Sequence, residues 1–196
     1  MPFEYPSKEA FIEMLKTLQH AEIVEKYLLV KETPFAFREK KRGYDFLVAH
    51  TAKSLSVSTD SVTLVGSGRI GFSLSPFKFG APFSKRSDLD LAIVDAGLFD
   101  AAWLDMVRLG PRFARLERDV QQWVNDHRNN NVYWGYIEPQ KLRGAVAFYK
   151  VWFPTFAGLS RYEYFAEREV SGRLYRTWEH AKGHQLYSLA KISRTL

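Results

Sequence analysis

Two short apolar segments separated by a glycine-rich turn constrain the fold of this chain more than any other feature. The first, Val62–Val65, runs into Gly66-Ser67-Gly68, and the second, Leu89–Val94, has a β-branched, apolar centre. Runs of this length and composition predict short buried strands. Helical patterns lie before and after them, so the chain is predicted to form a mixed α/β structure around a small sheet.

The turn after the first strand has the composition of an anion site. Gly66 and Gly68 let the backbone take positive φ and approach a ligand closely, and Ser67 adds a hydroxyl donor between them. If a helix begins at this turn, its free N–H groups point to the same place, which suits a triphosphate. A plain tight connection between elements is the alternative interpretation.

Two carboxylates stand at the start of the second strand. Asp88 and Asp90 are two positions apart, so both side chains point to one face, while Leu89 and Leu91 point to the other. Carboxylates this close repel each other unless a cation joins them. Mg²⁺ prefers a few carboxylate oxygens together with phosphate oxygens and water. The pair is a candidate metal site, and the alternative is two solvated acids at a strand end.

The segment between the two strands carries basic side chains. Lys78, Lys85 and Arg86 lie in residues 73–86, and Arg69 lies in the turn before them. Cationic side chains beside a phosphate site are expected to contact phosphate oxygens. A solvated basic loop is an equally good interpretation of the same residues.

The two motifs together resemble the nucleotidyltransferase superfamily typified by DNA polymerase β. The family pattern is an apolar residue, Gly, Gly or Ser, a spacer, and then Asp-apolar-Asp-apolar. Val65-Gly66-Ser67 and Asp88-Leu89-Asp90-Leu91 match it, and Ser87 fits the Ser-Asp-x-Asp form of minimal and antibiotic nucleotidyltransferases. The match covers residues 62–94, about a sixth of the chain. The spacing from Gly66 to Asp88, 22 positions (88 − 66), is longer than in the minimal forms.

The resemblance implies a Mg²⁺-dependent enzyme that moves an NMP from a nucleoside triphosphate to a hydroxyl and releases pyrophosphate. It implies one or two Mg²⁺ ions on Asp88 and Asp90. The residues it implies for nucleotide binding are Gly66, Ser67, Gly68, Arg69, Lys85 and Arg86.

The resemblance also implies a third catalytic carboxylate on a neighbouring strand. The first candidate is Glu138, at the end of the apolar segment 132–137, and an exposed acid at a strand end is the alternative. Reserve candidates are Glu163, Glu167 and Glu169.

Amphipathic patterns predict helices around the motifs, including residues 44–55, 113–124 and 178–196. We therefore expect an α/β (α+β) fold in which a small mixed sheet of the nucleotidyltransferase type is flanked by helices. One domain is expected to span 1–196. Within it we expect a helical N-terminal segment 1–57, a core 58–140 that holds both motifs, and a mostly helical C-terminal part 141–196.

Composition favours an anionic partner. The 196 residues include no cysteine, which excludes disulfides, thiolate zinc sites and thiol nucleophiles, and the formal net charge is +6. The first residues lack the pattern of a signal peptide, and no apolar run approaches the roughly 18 residues that span a bilayer. We expect a cytoplasmic protein that binds a nucleoside triphosphate and no membrane. The acceptor, with RNA as one option, and the oligomeric state stay open.

Basic and aromatic residues near the C-terminus suit RNA or a nucleotide base. The basic ones are Arg173, Arg176, Lys182 and Lys191. Tyr175 or Trp178 could stack on a base, with a place in the core as the alternative, whereas Trp134 is expected to pack. His180 and His184 are four positions apart, a spacing that can bind metal, but without an evident third ligand they are expected to be two exposed histidines.

Two other functions remain open. The chain could be a catalytically degenerate nucleotidyltransferase fold that acts as a binding or regulatory module, such as an antitoxin, and the third carboxylate would decide this. It could also be an RNA-binding protein, whose binding would fall steeply with salt and ignore Mg²⁺.

Overall fold

The computed structural model describes residues 3–196, in which helices alternate with four short strands. The strands are β1 (Val62–Val65), β2 (Leu89–Val94), β3 (Tyr136–Ile137) and β4 (Val170–Tyr175). The helices are α1 (Lys8–Thr17), α2 (His20–Ile23), α3 (Lys41–Leu55), α4 (Ser67–Ile70), α5 (Ala96–Val107), α6 (Arg118–Asp126), α7 (Pro139–Leu142), α8 (Tyr149–Phe156) and α9 (Trp178–Ser193). The predicted mixed α/β class is confirmed.

The strands form one mixed sheet in the order β1-β2-β4-β3. β2 pairs with β1 antiparallel and with β4 parallel, and β3 pairs with β4 antiparallel. β4 lies within the part predicted to be mostly helical, 141–196, yet it pairs with β2 from the segment 58–140. The two segments therefore build the sheet together.

Strand alternation divides the sheet into two differently covered faces. Leu89, Leu91 and Ile93 of β2 point into the larger core, where α3, α5, α6 and α8 also contribute apolar side chains. Ala92 and Val94 point to the opposite face, where they pack with Ala181 of α9. Asp90 lies on this second face near the start of β2, where it is exposed.

Helix α9, near the C-terminus, packs against helix α1, near the N-terminus. Thr177 begins it, since its Oγ1 accepts the His180 N–H at 3.4 Å. Its Leu189 and Ile192 share a second core with Phe11 of α1 and with Leu74 from the segment after α4. This packing holds α9 and the segment 72–74 together beside the open end of β2.

Two predicted elements begin later in the structure than expected. The predicted strand 132–137 is reduced to Tyr136–Ile137, because α6 continues into a π-helical turn at His127–Asn131 and the chain then turns at Gly135, with φ +68°. The predicted helix 113–124 begins at Arg118, after a 3₁₀ helix at Gly110–Arg115. Among residues 3–196, none of the helices combines the length and the apolar character needed to cross a bilayer.

Replacing Leu189 with alanine tests the packing of α9. The Leu189 side chain is fully buried, so its truncation should lower the free energy of unfolding by about 3 kcal/mol through lost burial and the cavity left behind. Urea denaturation monitored by circular dichroism measures this. Leu196→Ala is the control, because Leu196 is 55% exposed and should change stability by less than about 0.5 kcal/mol. Equal stability of the two variants would contradict the docking of α9.

Candidate active site

A cleft of about 460 Å³ opens on the second face of the sheet, where β2 begins. Its walls are the turn after β1, the ends of β3 and β4, α9, and the segment 73–82. The residues that matter for its chemistry are Gly66, Ser67, Asp88, Asp90, Glu138 and Arg173. Both sequence motifs therefore meet in one cavity.

The glycine turn lies directly against the second aspartate. Val65 pairs with Asp90 across the β1–β2 ladder, and Gly66 follows with φ +67°. A Cβ at Gly66 would stand 3.4 Å from Asp90 Oδ2, so the turn is in van der Waals contact with the carboxylate, and the positive φ would strain any residue that carries a side chain. Ser67 begins α4, and the first amides of this helical turn have no preceding helical carbonyl to bond. The turn can thus bring polar hydrogens close to a group bound at Asp90.

Asp90 is a carboxylate that its surroundings make costly to ionise. Solvent reaches it through the cleft, but protein flanks its other sides, and this partial burial raises its pKa. The hydroxyl of Ser171, which donates to Oδ1 at 3.0 Å, and the charge of Arg173 act against the shift. The charges of Asp88 and Glu138 add to it. A bound cation would relieve this cost.

Asp88 completes the acidic side of the cleft. It lies just before β2 and is exposed, and it lines the same cavity as Asp90. Two carboxylates beside a turn that is open to phosphate oxygens fit Mg²⁺, which fills its remaining positions with phosphate oxygens and water. Among residues 3–196, no group of three or more His, Asp and Glu side chains is arranged to hold a metal by itself.

Glu138 reaches the cleft, but its carboxylate is already paired. Its Oε1 accepts from Arg173 Nη2 and its Oε2 accepts from Lys141 Nζ, both at 2.7 Å. Burial by itself would raise its pKa, but Arg173 and Lys141 outweigh burial and lower the pKa from 4.5 to about 2. In this arrangement Glu138 is an ion-pair partner of Arg173 and not a free third metal ligand, because both of its oxygens face cations.

The strand position beside Asp90 carries no carboxylate. β4 places Ser171 opposite Asp90, and the alternation of the strand puts Ser171 and Arg173 on the same face. The reserve acids lie elsewhere: Glu167 and Glu169 line a separate hollow, and Glu163 lies in a 3₁₀ turn outside the cleft lining.

Arg173, predicted as one of the basic residues near the C-terminus that suit RNA or a nucleotide base, lines the cleft. Besides its pair with Glu138, its guanidinium lies 5.2 Å from the Tyr136 ring centroid. Burial alone would lower its pKa, but Tyr175 and Glu138 more than offset this and the pKa is raised. It is a permanent cation on the floor of the cleft. Its position on the sheet follows from the period-two alternation of β4, which lies in the part of the chain predicted to be mostly helical.

His184 lies between Arg173 and Tyr175. Its Nδ1 is 3.2 Å from Arg173 Nη1 and 2.8 Å from the Tyr175 hydroxyl. Burial and the charge of Arg173 lower the pKa of His184 to about 4, so the ring is neutral at neutral pH. His180 pairs instead with Thr177, and in the described residues no metal-binding group includes the two histidines.

Arg69 is not a phosphate ligand in this structure. Its side chain is fully buried, and the guanidinium donates to the backbone carbonyls of Tyr27, Val30 and Glu32 at 3.3, 2.5 and 2.6 Å. The predicted role is wrong because the side chain is fully buried, outside the cleft lining, and each of its three nitrogens donates to a backbone carbonyl of the segment after α2.

Only some of the other residues predicted to bind nucleotide line the cleft. Gly68 is buried, and a Cβ there would stand 2.9 Å from Leu64 Cδ2, so its side faces β1. Arg86 lines the cleft, as does Lys78. Lys85 is exposed and is not among the cleft residues.

Comparisons with family models, curated proteins and solved structures found no match to this chain. The two motifs and the geometry of the cleft are the basis for a functional proposal.

The Glu138 ion pairs predict a pH dependence of stability. A carboxylate whose folded-state pKa is lowered from 4.5 to about 2 stabilises the fold above pH 4.5, and this contribution, about 3 kcal/mol, is lost as the pH falls through that window. Urea melts between pH 3 and 6 should show a smaller decline for Glu138→Gln than for the unmodified chain. Glu117→Gln, at an exposed acid, is the control and should keep the full decline. Parallel curves for all three proteins would contradict the assignment.

Arg69→Met tests the structural role of the buried guanidinium. Three backbone carbonyls would lose their donor, so we expect a loss of about 3 kcal/mol in the free energy of unfolding. Lys85→Met, on the exposed loop, should change stability by less than about 0.5 kcal/mol. Thermal and urea unfolding measure both, and a stable Arg69→Met protein would show that the three bonds contribute little.

Proposed function

We propose that this protein is a Mg²⁺-dependent nucleotidyltransferase that transfers an NMP from a nucleoside triphosphate to a hydroxyl acceptor. The observation that carries the proposal is the contact between the glycine turn and the aspartates. Gly66 lies directly beside Asp90, with 3.4 Å between a Cβ placed on Gly66 and Asp90 Oδ2, and Asp88 lines the same cleft. Phosphate and metal ligands are thereby within reach of one bound nucleotide.

Each side of the cleft has a distinct role. Asp88 and Asp90 would hold one or two Mg²⁺ ions, which neutralise phosphate charge and favour the ionised acceptor hydroxyl. Ser67 and the amides of the turn would bind phosphate oxygens. Lys78 and Arg86 line the same cleft and would contribute positive charge around the triphosphate. Arg173 would act from the floor of the cleft as a cation fixed by Glu138.

The reaction is a displacement at the α-phosphorus. The acceptor oxygen forms a bond to phosphorus, its proton passes to solvent, and the bond to the oxygen that bridges the β-phosphate breaks. Pyrophosphate leaves with that electron pair. The chain contributes mainly by positioning the triphosphate and by stabilising its charge.

A second function is favoured by one observation. Ser171 occupies the β4 position beside Asp90, and both oxygens of Glu138 face cations, so no third free carboxylate adjoins the aspartates in the described residues. A protein with this site could bind nucleotide and metal without transferring a group. Such a module would serve as a regulatory or antitoxin-like partner.

Transfer and binding have to be measured separately to distinguish the two functions. The purified protein is incubated with each α-labelled nucleoside triphosphate, Mg²⁺ and total RNA or lysate, and nucleotide binding is followed by calorimetry with a non-hydrolysable analogue. Asp88→Asn and Asp90→Asn should each reduce labelling by on the order of 100-fold or more, because the metal loses a carboxylate ligand. Chelation of Mg²⁺ should have the same effect.

The matched control is Asp45→Asn, an exposed carboxylate on α3 outside the cleft, which should transfer at the rate of the unmodified protein. Labelling that survives Asp88→Asn and Asp90→Asn would overturn the proposed chemistry. Mg²⁺-dependent nucleotide binding without any labelled product would support the binding module instead, and absence of nucleotide binding would reject both.

A further inference from the structure

A second hollow of about 1160 Å³ lies next to the cleft, between the turn before β3, helix α9 and the segment 76–78. Its side chains are mainly aromatic and basic, unlike the polar walls of the cleft. We call it the aromatic groove and define it by Phe77, Tyr133, Trp134, Tyr187, Lys191 and Arg194.

The rings of the aromatic groove are exposed to an unusual degree. Phe77 is 99% exposed and Tyr133 79%, while Trp134 and Tyr187 are 57% and 55% exposed. Isolated apolar residues on a surface need no explanation, but a cluster that lines one concavity indicates a binding site. Trp134, which the sequence pattern assigned to packing, is therefore a surface residue.

Three of the rings contact one another. Trp134 stacks on Tyr187 with centroids 6.2 Å apart and planes 22° apart, and Tyr133 meets Trp134 edge-on at 5.4 Å. The next residue, Gly135, has φ +68°, and a Cβ there would stand 2.0 Å from His180 Cδ2. The chain can make this turn against α9 only with glycine, which presents the two preceding rings to solvent.

Positive charge accompanies the rings. Lys191 Nζ lies 4.4 Å from the Tyr187 ring centroid, and Arg194 follows at the end of α9. Within residues 3–196, no carboxylate lies within salt-bridge distance of either cation. Glu179 is the one acid of the groove lining. Flat rings beside unpaired cations match bases joined by phosphates better than they match an apolar peptide.

The groove leads into the cleft. The two cavities share Pro76, His184 and Ser188. Tyr136 lines the groove, and its ring lies 5.0 Å from His184 and 5.2 Å from the Arg173 guanidinium, both of which line the cleft. A chain bound in the groove would therefore extend toward Asp88 and Asp90.

We propose that the aromatic groove binds a single-stranded nucleic acid whose end supplies the acceptor hydroxyl. Bases would stack on Trp134, Tyr187 and Tyr133, and Lys191 and Arg194 would contact phosphates. The role of the strand's end as acceptor rests on the proposed nucleotidyl transfer, whereas the binding of the strand in the groove does not. The stacking residues differ from those expected from the sequence, since Tyr175 is buried and Trp178 lines another hollow.

Fluorescence anisotropy with labelled twelve-nucleotide RNA and DNA of one sequence, single-stranded and duplex, tests the proposal. Stacking of one base contributes a factor of about 5 to 150 in affinity, so Trp134→Ala and Tyr187→Ala should each weaken single-strand binding about 10-fold. Trp134→Phe should stay within about 3-fold of the unmodified protein because a ring remains. Lys191→Ala should weaken binding and reduce the salt slope by about one.

Trp103→Ala is the matched control, because Trp103 is a 42% exposed tryptophan on α5, outside the groove, and should bind like the unmodified protein. Circular dichroism checks that every variant is folded. Tighter binding of RNA than of DNA would identify RNA as the acceptor class, and the reverse would identify DNA.

Binding by Trp134→Ala equal to that of the unmodified protein would overturn the proposal, as would equal affinity for duplex. Self-association that Trp134→Ala abolishes, without nucleic-acid binding, would show a second copy of the chain as the occupant and would also overturn it. Nucleotide binding by the unmodified protein is measured in parallel. Its failure would reject nucleotidyl transfer while leaving the result on the groove standing.

Discussion

The placement of β2 between β1 and β4 is the constraint on which the site depends. The antiparallel pairing sets Asp90 beside Val65, so the glycine turn that follows β1 lies against the carboxylate. The parallel pairing sets Ser171 beside Asp90 on the other side, where its hydroxyl can donate. Because side chains alternate along a strand, a one-residue slip in register would turn Asp90 into the apolar core and Leu91 into the cleft.

Charge balance determines what the cleft can bind. Three carboxylates line its walls, those of Asp88, Asp90 and Glu138. The cations Arg173 and Lys141 both pair with Glu138. The opposite pKa shifts of Asp90 and Glu138 follow from this unequal pairing. In the described residues neither Asp88 nor Asp90 lies within salt-bridge distance of a cation. The neutral His184 lies on the other side of the cleft, where it also lines the aromatic groove.

Local signals predicted the local elements well. β1, β2 and the positive φ of Gly66 follow from a few consecutive residues, because burial and backbone sterics act within each segment. The prediction failed where distant segments compete for one side chain. Arg69 looks like a loop cation, but three carbonyls from the segment after α2 surround it. Glu138 was expected to be the third catalytic carboxylate, and its Oε1 accepts from Arg173, which lies 35 residues later in the chain.

The sequence alone determined the two apolar strands, the flexible turn and the common face of Asp88 and Asp90, since each depends only on strand alternation and the absence of a Cβ. The tertiary structure decided which residues stand beside them. β4 brought Ser171 and Arg173 to Asp90, and the turn at Gly135 exposed Trp134 instead of burying it. The physical reason is that pairing and burial depend on segments far apart in the chain, whose relative positions no local pattern encodes.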